Sequence, residues 1–492
     1  MALYVTSANT EASCRGRAAR SSAEAAVMVV ERRGCVVQEG GINQPQSRDE
    51  LKKSTKSFAI TKRMVYEAWK CVKANRGAAG SDKESIAQFE GNLAGNLYKL
   101  WNRLASGSYF PPPVREVQIP KRSGGVRTLG VPTVADRIAQ AVVKAYLEPL
   151  LEPYFDNDSY GFRPGRSPKQ AVQIVRERCW RYNWVLEFDI KGAFDNLDHD
   201  LLMKAVRKHT ECRWALLYIE RWLKAPSVAS NGELHGRVRG TPQGGVISPL
   251  LMNLFMHYSF DRWMRRNVRS AQFVRYADDA VVHCLSERHA VSAKEKIAER
   301  FAACGLELHA EKTRIVYCKD ANRTEQHPMT QFTFLGFTFR PRYARSAAGV
   351  RFTSFLPALS ADAAKRMRRQ IRWWHLPRRT PATLNEIAED CDATLTGWWN
   401  YYGSFYGSAM EAIFGHFDQA LAYWVRRKFK SLRSQQRRSH QWVERVSRRE
   451  PQLFVHWRLQ HAKDLNNGSR VNREVHARFC ERPRGKFPRP TH

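Results

Sequence analysis

Between about residues 60 and 340 the chain alternates short apolar runs, rich in Val, Ile, Phe and Tyr, with stretches whose apolar positions recur at helical spacing. The short runs predict strands over 114–119, 126–129, 184–190, 273–276, 280–284, 313–317 and 332–339, each bounded by turn-forming residues. The helical spacing predicts helices over 135–151, 199–209, 249–266 and 290–304, and over most of 53–88 with a break at 75–82. Pro111, Pro112 and Pro113 close a helical stretch ahead of the first strand, and Lys121, Arg122, Ser123, Gly124 and Gly125 supply a hairpin turn between the first two strands. Strands and helices mixed in this way argue for an α+β domain with a largely antiparallel sheet. Beyond about residue 358 the strand signal ends and the pattern turns helical. There Leu395, Trp398, Trp399 and Tyr402 fall at i, i+3, i+4 and i+7, one apolar helix face packed on its neighbours.

Composition adds a core and a partner to this picture. Of 492 residues, 43% are hydrophobic, with 24 Phe, 17 Tyr and 14 Trp, which excludes wholesale disorder. Lys and Arg number 81 against 47 Asp and Glu, a formal net charge of +34, so the partner is a polyanion, nucleic acid before an anionic membrane. No run approaches the ~18 consecutive apolar residues that cross a bilayer, and no membrane partner is expected. From Leu421 onward 19 Lys and Arg face 5 Asp and Glu, interleaved with Trp424, Phe429, Trp442, Phe454 and Trp457, as suits a nucleic-acid surface. The ten cysteines form no CxxC pair and read as buried small hydrophobes in a reducing compartment. Residues 1–50 mix Arg15, Arg17 and Arg20 with Glu11 and Glu24 and lack an apolar h-region. They read as a poorly ordered leader and not as a secretory signal. The expected location is the cytoplasm, with an organelle as the alternative.

Candidate chemistry sits at two strand ends. Phe273-Val274-Arg275-Tyr276-Ala277-Asp278-Asp279-Ala280-Val281-Val282 sets two carboxylates at the tip of an expected hairpin. Like charges side by side are costly unless a cation neutralises them. Upstream, Val185-Leu186-Glu187-Phe188-Asp189-Ile190 ends a strand in another carboxylate, and Gly192 then permits a sharp turn. Strands laid side by side would converge Asp189 with Asp278 and Asp279. Such hard oxygen ligands suit Mg²⁺, which takes carboxylates together with substrate phosphates. Two such ions roughly 3.5–4 Å apart can activate a 3′-hydroxyl and stabilise a pyrophosphate leaving group.

These segments resemble those of a reverse transcriptase. Tyr276-Ala277-Asp278-Asp279 is similar to the catalytic box of the palm, and Phe188-Asp189-Ile190-Lys191-Gly192-Ala193-Phe194 to the box with the first catalytic aspartate. The surrounding blocks narrow the resemblance to the group II intron reverse transcriptase/maturase family. Ile119-Pro120-Lys121 with Gly124-Gly125-Val126-Arg127-Thr128-Leu129-Gly130-Val131-Pro132 resembles that family's fingers, and Tyr160-Gly161-Phe162-Arg163-Pro164-Gly165-Arg166-Ser167 its next block. Gly240-Thr241-Pro242-Gln243-Gly244-Gly245-Val246-Ile247-Ser248-Pro249-Leu250 resembles its primer-template block. Phe334-Leu335-Gly336-Phe337 resembles the hairpin closing the palm, and Leu395-Thr396-Gly397-Trp398-Trp399-Asn400-Tyr401-Tyr402-Gly403 the thumb or maturase domain.

The resemblance implies an α+β right-hand polymerase, fingers and palm with mostly antiparallel sheet, followed by an all-α thumb/maturase domain and a basic C-terminal region. The implied divisions are fingers and palm over 51–345, thumb/maturase over 346–435, and a nucleic-acid-binding region over 436–492 without an endonuclease domain. Asp189, Asp278 and Asp279 would be catalytic, with Asp189, Asp278 and the Ile190 carbonyl holding two Mg²⁺ ions. Lys121 and Arg127 would grip the triphosphate, Phe194 beside Ala193 would exclude a ribose 2′-hydroxyl, and Gln243 would line the nucleotide pocket. Arg76, Arg163, Gly244 and Gly245 would meet template or RNA, as would Arg426, Arg427, Lys428, Lys430 and Arg433. The implied partners are intron RNA, a DNA target or primer, and dNTPs. The implied activity is RNA-directed DNA synthesis coupled to splicing assistance and retromobility. A related enzyme serving host defence or repair, or an RNA-binding splicing factor without polymerase activity, are the alternatives.

Overall fold

The computed structural model describes residues 56–120, 126–345 and 349–464. The expected leader at 1–50, Lys121 in the first hairpin turn, and the end of the basic tail from 465 lie outside the described residues. The chain divides into two compact units, residues 1–319 with 323–330, and residues 320–322 with 331–492.

The first unit opens with helices α1 (Lys62–Asn75), α2 (Ile86–Gly91) and α3 (Leu93–Ser106) and strands β1 (Val114–Pro120) and β2 (Val126–Val131). It continues through α4 (Val134–Leu151), α5 (Pro168–Arg181), β3 (Trp184–Phe188), α6 (His199–Arg207) and α7 (Arg213–Lys224). Short strands β4 (Ser227–Val228) and β5 (Leu234–His235) follow, then α8 (Ser248–Met256), which runs through a π turn into α9 (Arg262–Asn267). Strands β6 (Gln272–Tyr276) and β7 (Asp279–Cys284), helix α10 (Glu287–Ala302) and β8 (Arg314–Tyr317) complete it. Two sheets result, in the orders β2-β1-β4-β5 and β6-β7-β3-β8. The second is antiparallel throughout, with α10 packed on β3 and β7, and α5 on β6 and β7.

Helix starts follow ordinary capping chemistry. Ser167 and Gln170 form a reciprocal capping box at α5, and Thr133 caps α4 by accepting from the Asp136 amide. Helix α4 is buried along most of its surface, so it also buries polar groups that need partners. Asp136 is 1% exposed and accepts from the Tyr109 hydroxyl at 2.7 Å, the Trp222 indole at 2.7 Å and the Gln140 amide at 3.0 Å. The Gln140 carbonyl oxygen in turn accepts from the Val246 amide at 2.7 Å. One buried carboxylate thus connects α3–β1, α7 and the loop ahead of α8.

The second unit begins with a meander, β9 (Phe332–Phe334), β10 (Phe337–Arg345) and β11 (Arg351–Leu359). The single strand expected over 332–339 is therefore two strands. Leu335 (φ 48°) and Gly336 (φ 81°) both take left-handed backbone, the twist a two-residue hairpin demands, and the apolar pattern around them hides the turn. The expected division at 345/346 falls within the β10–β11 hairpin, which this unit holds entire. Helices α11 (Ala361–Trp373), α12 (Leu384–Trp398), α13 (Ser408–Lys428) and α14 (Gln436–Arg449) follow. Leu395 and Tyr402 are buried, Trp398 stacks on Trp374, and Trp399 lies over Gly403 and Gly407, so the aromatic face of the sequence is a packing face.

Removing the Asp136 carboxylate strands three buried donors at about 1–3 kcal/mol each. Asp136→Ala is expected to lower unfolding free energy by about 3 kcal/mol or more in a denaturant titration. A loss below about 1 kcal/mol would show that water replaces the carboxylate.

Candidate active site

The site is assembled at one end of the second sheet. Strand β3 pairs antiparallel with β7 so that Phe188 faces Ala280, and Asp189, the next residue, leaves the sheet beside the turn between β6 and β7. Strand β6 pairs with β7 through Tyr276 and Asp279, which leaves Ala277 and Asp278 as a two-residue turn. The expected convergence of Asp189 with Asp278 and Asp279 is thus a consequence of register. Desolvation and the charge of Asp189 raise the Asp278 carboxyl above the usual carboxylate range. The surrounding protein mass and the charges of Asp278, Asp189 and Glu187 push Asp279 up to about 8, although its side chain keeps access to solvent. Among the described residues no three His, Cys, Asp or Glu side chains close into a ready-made ion cage.

Cations lean on this cluster from outside it. Lys312, just ahead of β8, forms an ion pair with Asp189 and opposes the rise at Asp278 and Asp279. Arg127 of β2 acts on Asp278 in the same sense. Lys312 was not foreseen. The signal was a Lys at the mouth of a strand that pairs with β3, and only the pairing gives it meaning.

After Asp189 the chain is held by backbone bonds to the segment before β8. The His309 amide donates to the Asp189 carbonyl, the Lys191 amide donates to the Glu307 carbonyl, and Ile190 bridges Leu308. Gly192 (φ 55°) then turns the chain, and the Thr241 and Gly240 amides donate to the carbonyls of Phe194 and Leu197. A Cβ on Gly240 would stand 2.5 Å from the Asp195 carbonyl oxygen, so this approach requires glycine. Ala193 is buried, and Phe194 is half-buried against the core. The Gln243 amide donates to the Asp195 carboxylate at 3.1 Å. A cavity of about 300 Å³ beside this turn is lined by Arg127, Glu116, Asp195, Gln243 and Arg237, among others. Arg237 was also not singled out, although it stands three residues before Gly240 and its Nε is buried without a hydrogen-bond partner among the described residues.

Several expected contact residues are committed elsewhere. Arg163 is buried, forks onto Glu152 (Nε 3.0 Å, Nη2 2.8 Å) and donates Nη1 to the carbonyls of Asp156 and Ser159. It is a structural arginine and not an RNA contact. Gly244 (φ 118°) and Gly245 are needed by the chain's own packing: a Cβ on either would stand 2.5 Å from the Gly130 carbonyl oxygen or the Ser248 hydroxyl. Lys428 donates to the carbonyls of Thr380 at 3.1 Å and Ala382 at 2.7 Å and lies over Trp424, which removes it from the exposed cation set. Arg426 is half-buried and donates to the Arg433 carbonyl. Arg76, Arg427, Lys430 and Arg433 are exposed, as are Arg437 and Arg438 at the start of α14. Helix α11 adds an exposed row, Lys365, Arg369 and Arg372, that the apolar pattern did not flag.

Comparison with known proteins accords with this geometry. Residues 119–339 match the family described as reverse transcriptase (RNA-dependent DNA polymerase), and residues 364–442 match the group II intron maturase-specific domain. Protein YkfC of Escherichia coli (strain K12) is 32% identical over 295 residues, covering 52% of this chain and 77% of that protein. Group II intron-encoded protein LtrA of Lactococcus lactis subsp. cremoris is 34% identical over 217 residues, 44% of this chain and 36% of the relative. A putative COX1/OXI3 intron 1 protein of Saccharomyces cerevisiae is 34% identical over 168 residues, 34% of this chain and 20% of that protein. The chain therefore spans about a third of the length of LtrA and less of the yeast relative.

Carboxyls whose protons are held more tightly folded than unfolded weaken the fold as pH rises past the ordinary carboxylate range. Asp278→Asn removes one charge from the cluster. At pH 8 without divalent cations it is expected to melt roughly 2–4 °C above the unsubstituted protein. Millimolar Mg²⁺ should raise the melting temperature of the unsubstituted protein more than that of the variant. A lower melting temperature for the variant would mean that Asp278 stabilises the metal-free fold.

Proposed function

The chain belongs to the group II intron reverse transcriptase/maturase family, and on that premise we propose that it is an RNA-directed DNA polymerase that copies intron RNA into DNA and binds the same RNA to assist its splicing and mobility. The observation that carries this reading is the β3–β7 register, which brings Asp189 to the Asp278–Asp279 turn, with Arg127, whose charge acts on Asp278, in the lining of a polar cavity. In this reading the first unit supplies fingers and palm, and the helices of the second unit supply the thumb and a basic surface for structured RNA. Intron RNA, a DNA primer or target, and dNTPs are its partners.

The donor set fits hard divalent cations, because it is made of carboxylate and carbonyl oxygens that repel one another without them. Asp189 and Asp278, with the Ile190 carbonyl, would hold two Mg²⁺ ions, and Asp279 stands beside them. When bound, such ions supply the Lewis acidity that activates a primer 3′-hydroxyl and offsets charge on the leaving pyrophosphate. The chain's own groups do the rest. Lys312 neutralises Asp189 in the metal-free protein and keeps the cluster from repelling itself apart. Arg127, exposed on β2, meets triphosphate oxygens, with Lys121 of the same hairpin as its partner. Phe194 closes the sugar side of the pocket against a ribose 2′-hydroxyl, held in place by the backbone bonds to Thr241 and Gly240. Gln243 is oriented by Asp195 at the pocket wall. Sequence information comes from base pairing, so the protein needs general affinity only, which its exposed cations provide.

Primer extension on an RNA template with dNTPs and Mg²⁺ tests this directly. The unsubstituted protein should extend the primer, and Asp278→Asn should lose at least roughly 10³-fold in rate while RNA affinity stays within about two-fold. No extension by the unsubstituted protein, with RNA binding intact, would favour a splicing factor without polymerase activity. Phe194→Val should raise use of ribonucleotides over deoxyribonucleotides by at least roughly ten-fold; unchanged discrimination would place the gate elsewhere. Replacing Arg427, Lys430, Arg433, Arg437 and Arg438 by Gln should reduce the salt slope of RNA binding by about one per lost phosphate contact. An unchanged slope would show that these side chains face solvent in the complex.

A further inference from the structure

Ala277 holds φ 57°, the left-handed region that non-glycine residues adopt at a cost. Such strain persists only where the surroundings over-determine it. Here the surroundings are unusually explicit. Arg275 is fully buried, and each of its five N–H donors has one acceptor. Nε and Nη2 fork onto Asp261 at 2.7 and 2.6 Å, Nη2 also donates to the Ser159 hydroxyl at 2.8 Å, and Nη1 donates to Asn253 Oδ1 at 3.1 Å. The fifth bond runs from Nη1 to the carbonyl oxygen of Ala277 at 2.9 Å.

The opposite side of the turn is closed as well. A Cβ on Gly161 would stand 2.4 Å from the Ala277 amide nitrogen, so the two backbones are in contact there. Gly161 is itself fixed, because the Asn253 amide donates to its carbonyl at 2.6 Å. The Arg275 backbone is laced to the same segment, its amide to the Asp158 carbonyl and its carbonyl to the Tyr160 amide. Asn253 of α8 therefore touches both jaws, Arg275 through its oxygen and Gly161 through its nitrogen.

We infer that Arg275 is a positioning residue for nucleotidyl transfer, holding the Ala277 peptide in its left-handed turn so that the Asp278 carboxylate stays at the reacting end of the sheet. This rests on the polymerase reading above. The clamp acts on the peptide that joins Ala277 to Asp278, where repulsion among the carboxylates would otherwise push the turn outward. A plain core ion pair would need only Asp261. The bond to Ala277 is the part that reaches the site. Lysine, with three donors on one nitrogen, can keep the charge pair but cannot span Asp261, Ser159, Asn253 and Ala277 together.

The test is steady-state primer extension on an RNA template by the full chain, with melting temperature and RNA affinity measured alongside. Arg275→Lys should lower kcat by about 10²-fold, as a displacement near 1 Å does, and raise the Mg²⁺ concentration for half-maximal rate. KM for dNTP and RNA affinity should stay within about two-fold. Adding Ala277→Gly, which takes the left-handed turn without the Cβ penalty, should recover at least about ten-fold of the lost kcat. If Arg275→Lys fails to fold, Gly161→Ala presses the same turn from its other side and should show the same fall in kcat with dNTP KM unchanged. An active unsubstituted enzyme whose kcat is unmoved by Arg275→Lys would overturn the inference, as would loss of kcat that follows melting temperature and is not relieved by Ala277→Gly. An inactive unsubstituted enzyme would instead sink the polymerase reading on which the inference stands.

Discussion

Asp189, Asp278 and Asp279 are held at one end of an antiparallel sheet against their mutual repulsion, and much of the first unit answers to that constraint. Like charge raises Asp278 and Asp279 together, with desolvation adding at Asp278, so the carboxylate cluster sits above its electrostatic minimum. Around the cluster stands a lattice of ion pairs, buried or half-buried except at the exposed Arg265. Arg275 pairs with Asp261, Arg163 with Glu152, Arg178 with Asp158, and Arg265 with both Asp156 and Asp158. Buried pairs of this kind add little stability compared with apolar packing, but breaking one leaves an uncompensated charge. Their yield is geometric. Arg178 also donates to the Phe273 carbonyl on β6, so the lattice grips the backbone of the strand that delivers Asp278.

The same lattice divides the positive charge of the chain. A net +34 describes a polyelectrolyte, yet several of its cations never meet the partner. Arg163, Arg275 and Lys428 are spent on carbonyls and carboxylates inside the fold, and Arg221 on the carbonyls of Gly107 and Tyr109 and the ring of Phe110. Those left in solvent gather on helix faces and turns, Lys365, Arg369 and Arg372 on α11 and Arg427, Lys430, Arg433, Arg437 and Arg438 at the end of α13 and the start of α14. Exposed cations of this kind give affinity without sequence preference, as the proposed polymerase, reading its template by base pairing, would need.

The strands that carry the aspartates were legible because β-prone runs ending in carboxylates have a local signature, but their register came only from the β3–β7 and β6–β7 pairings. The roles of basic residues were less legible. Arg163 and Lys428 sit in basic, motif-rich segments that read as contact surfaces, and only the positions of Glu152, Thr380 and Ala382 show what occupies them. Lys312 and Arg237 went unnoticed for the converse reason, because each becomes part of the site through pairing or folding of distant segments. The apolar pattern alone concealed the Leu335–Gly336 turn, because its flanks are apolar on both sides, whereas the motif at Phe334–Phe337 pointed to the hairpin that is found.

Divalent cations are expected to relax the repulsion among Asp189, Asp278 and Asp279. Calorimetric titration of Mg²⁺ into the full chain at pH 7, repeated in buffers of different ionisation enthalpy, measures both ion binding and the protons it expels. With Asp278 and Asp279 both held above the usual carboxylate range, saturable binding with net proton release is expected, and a smaller release in Asp278→Asn and in Asp279→Asn. Saturable binding with no proton released, or no binding at all, would contradict it.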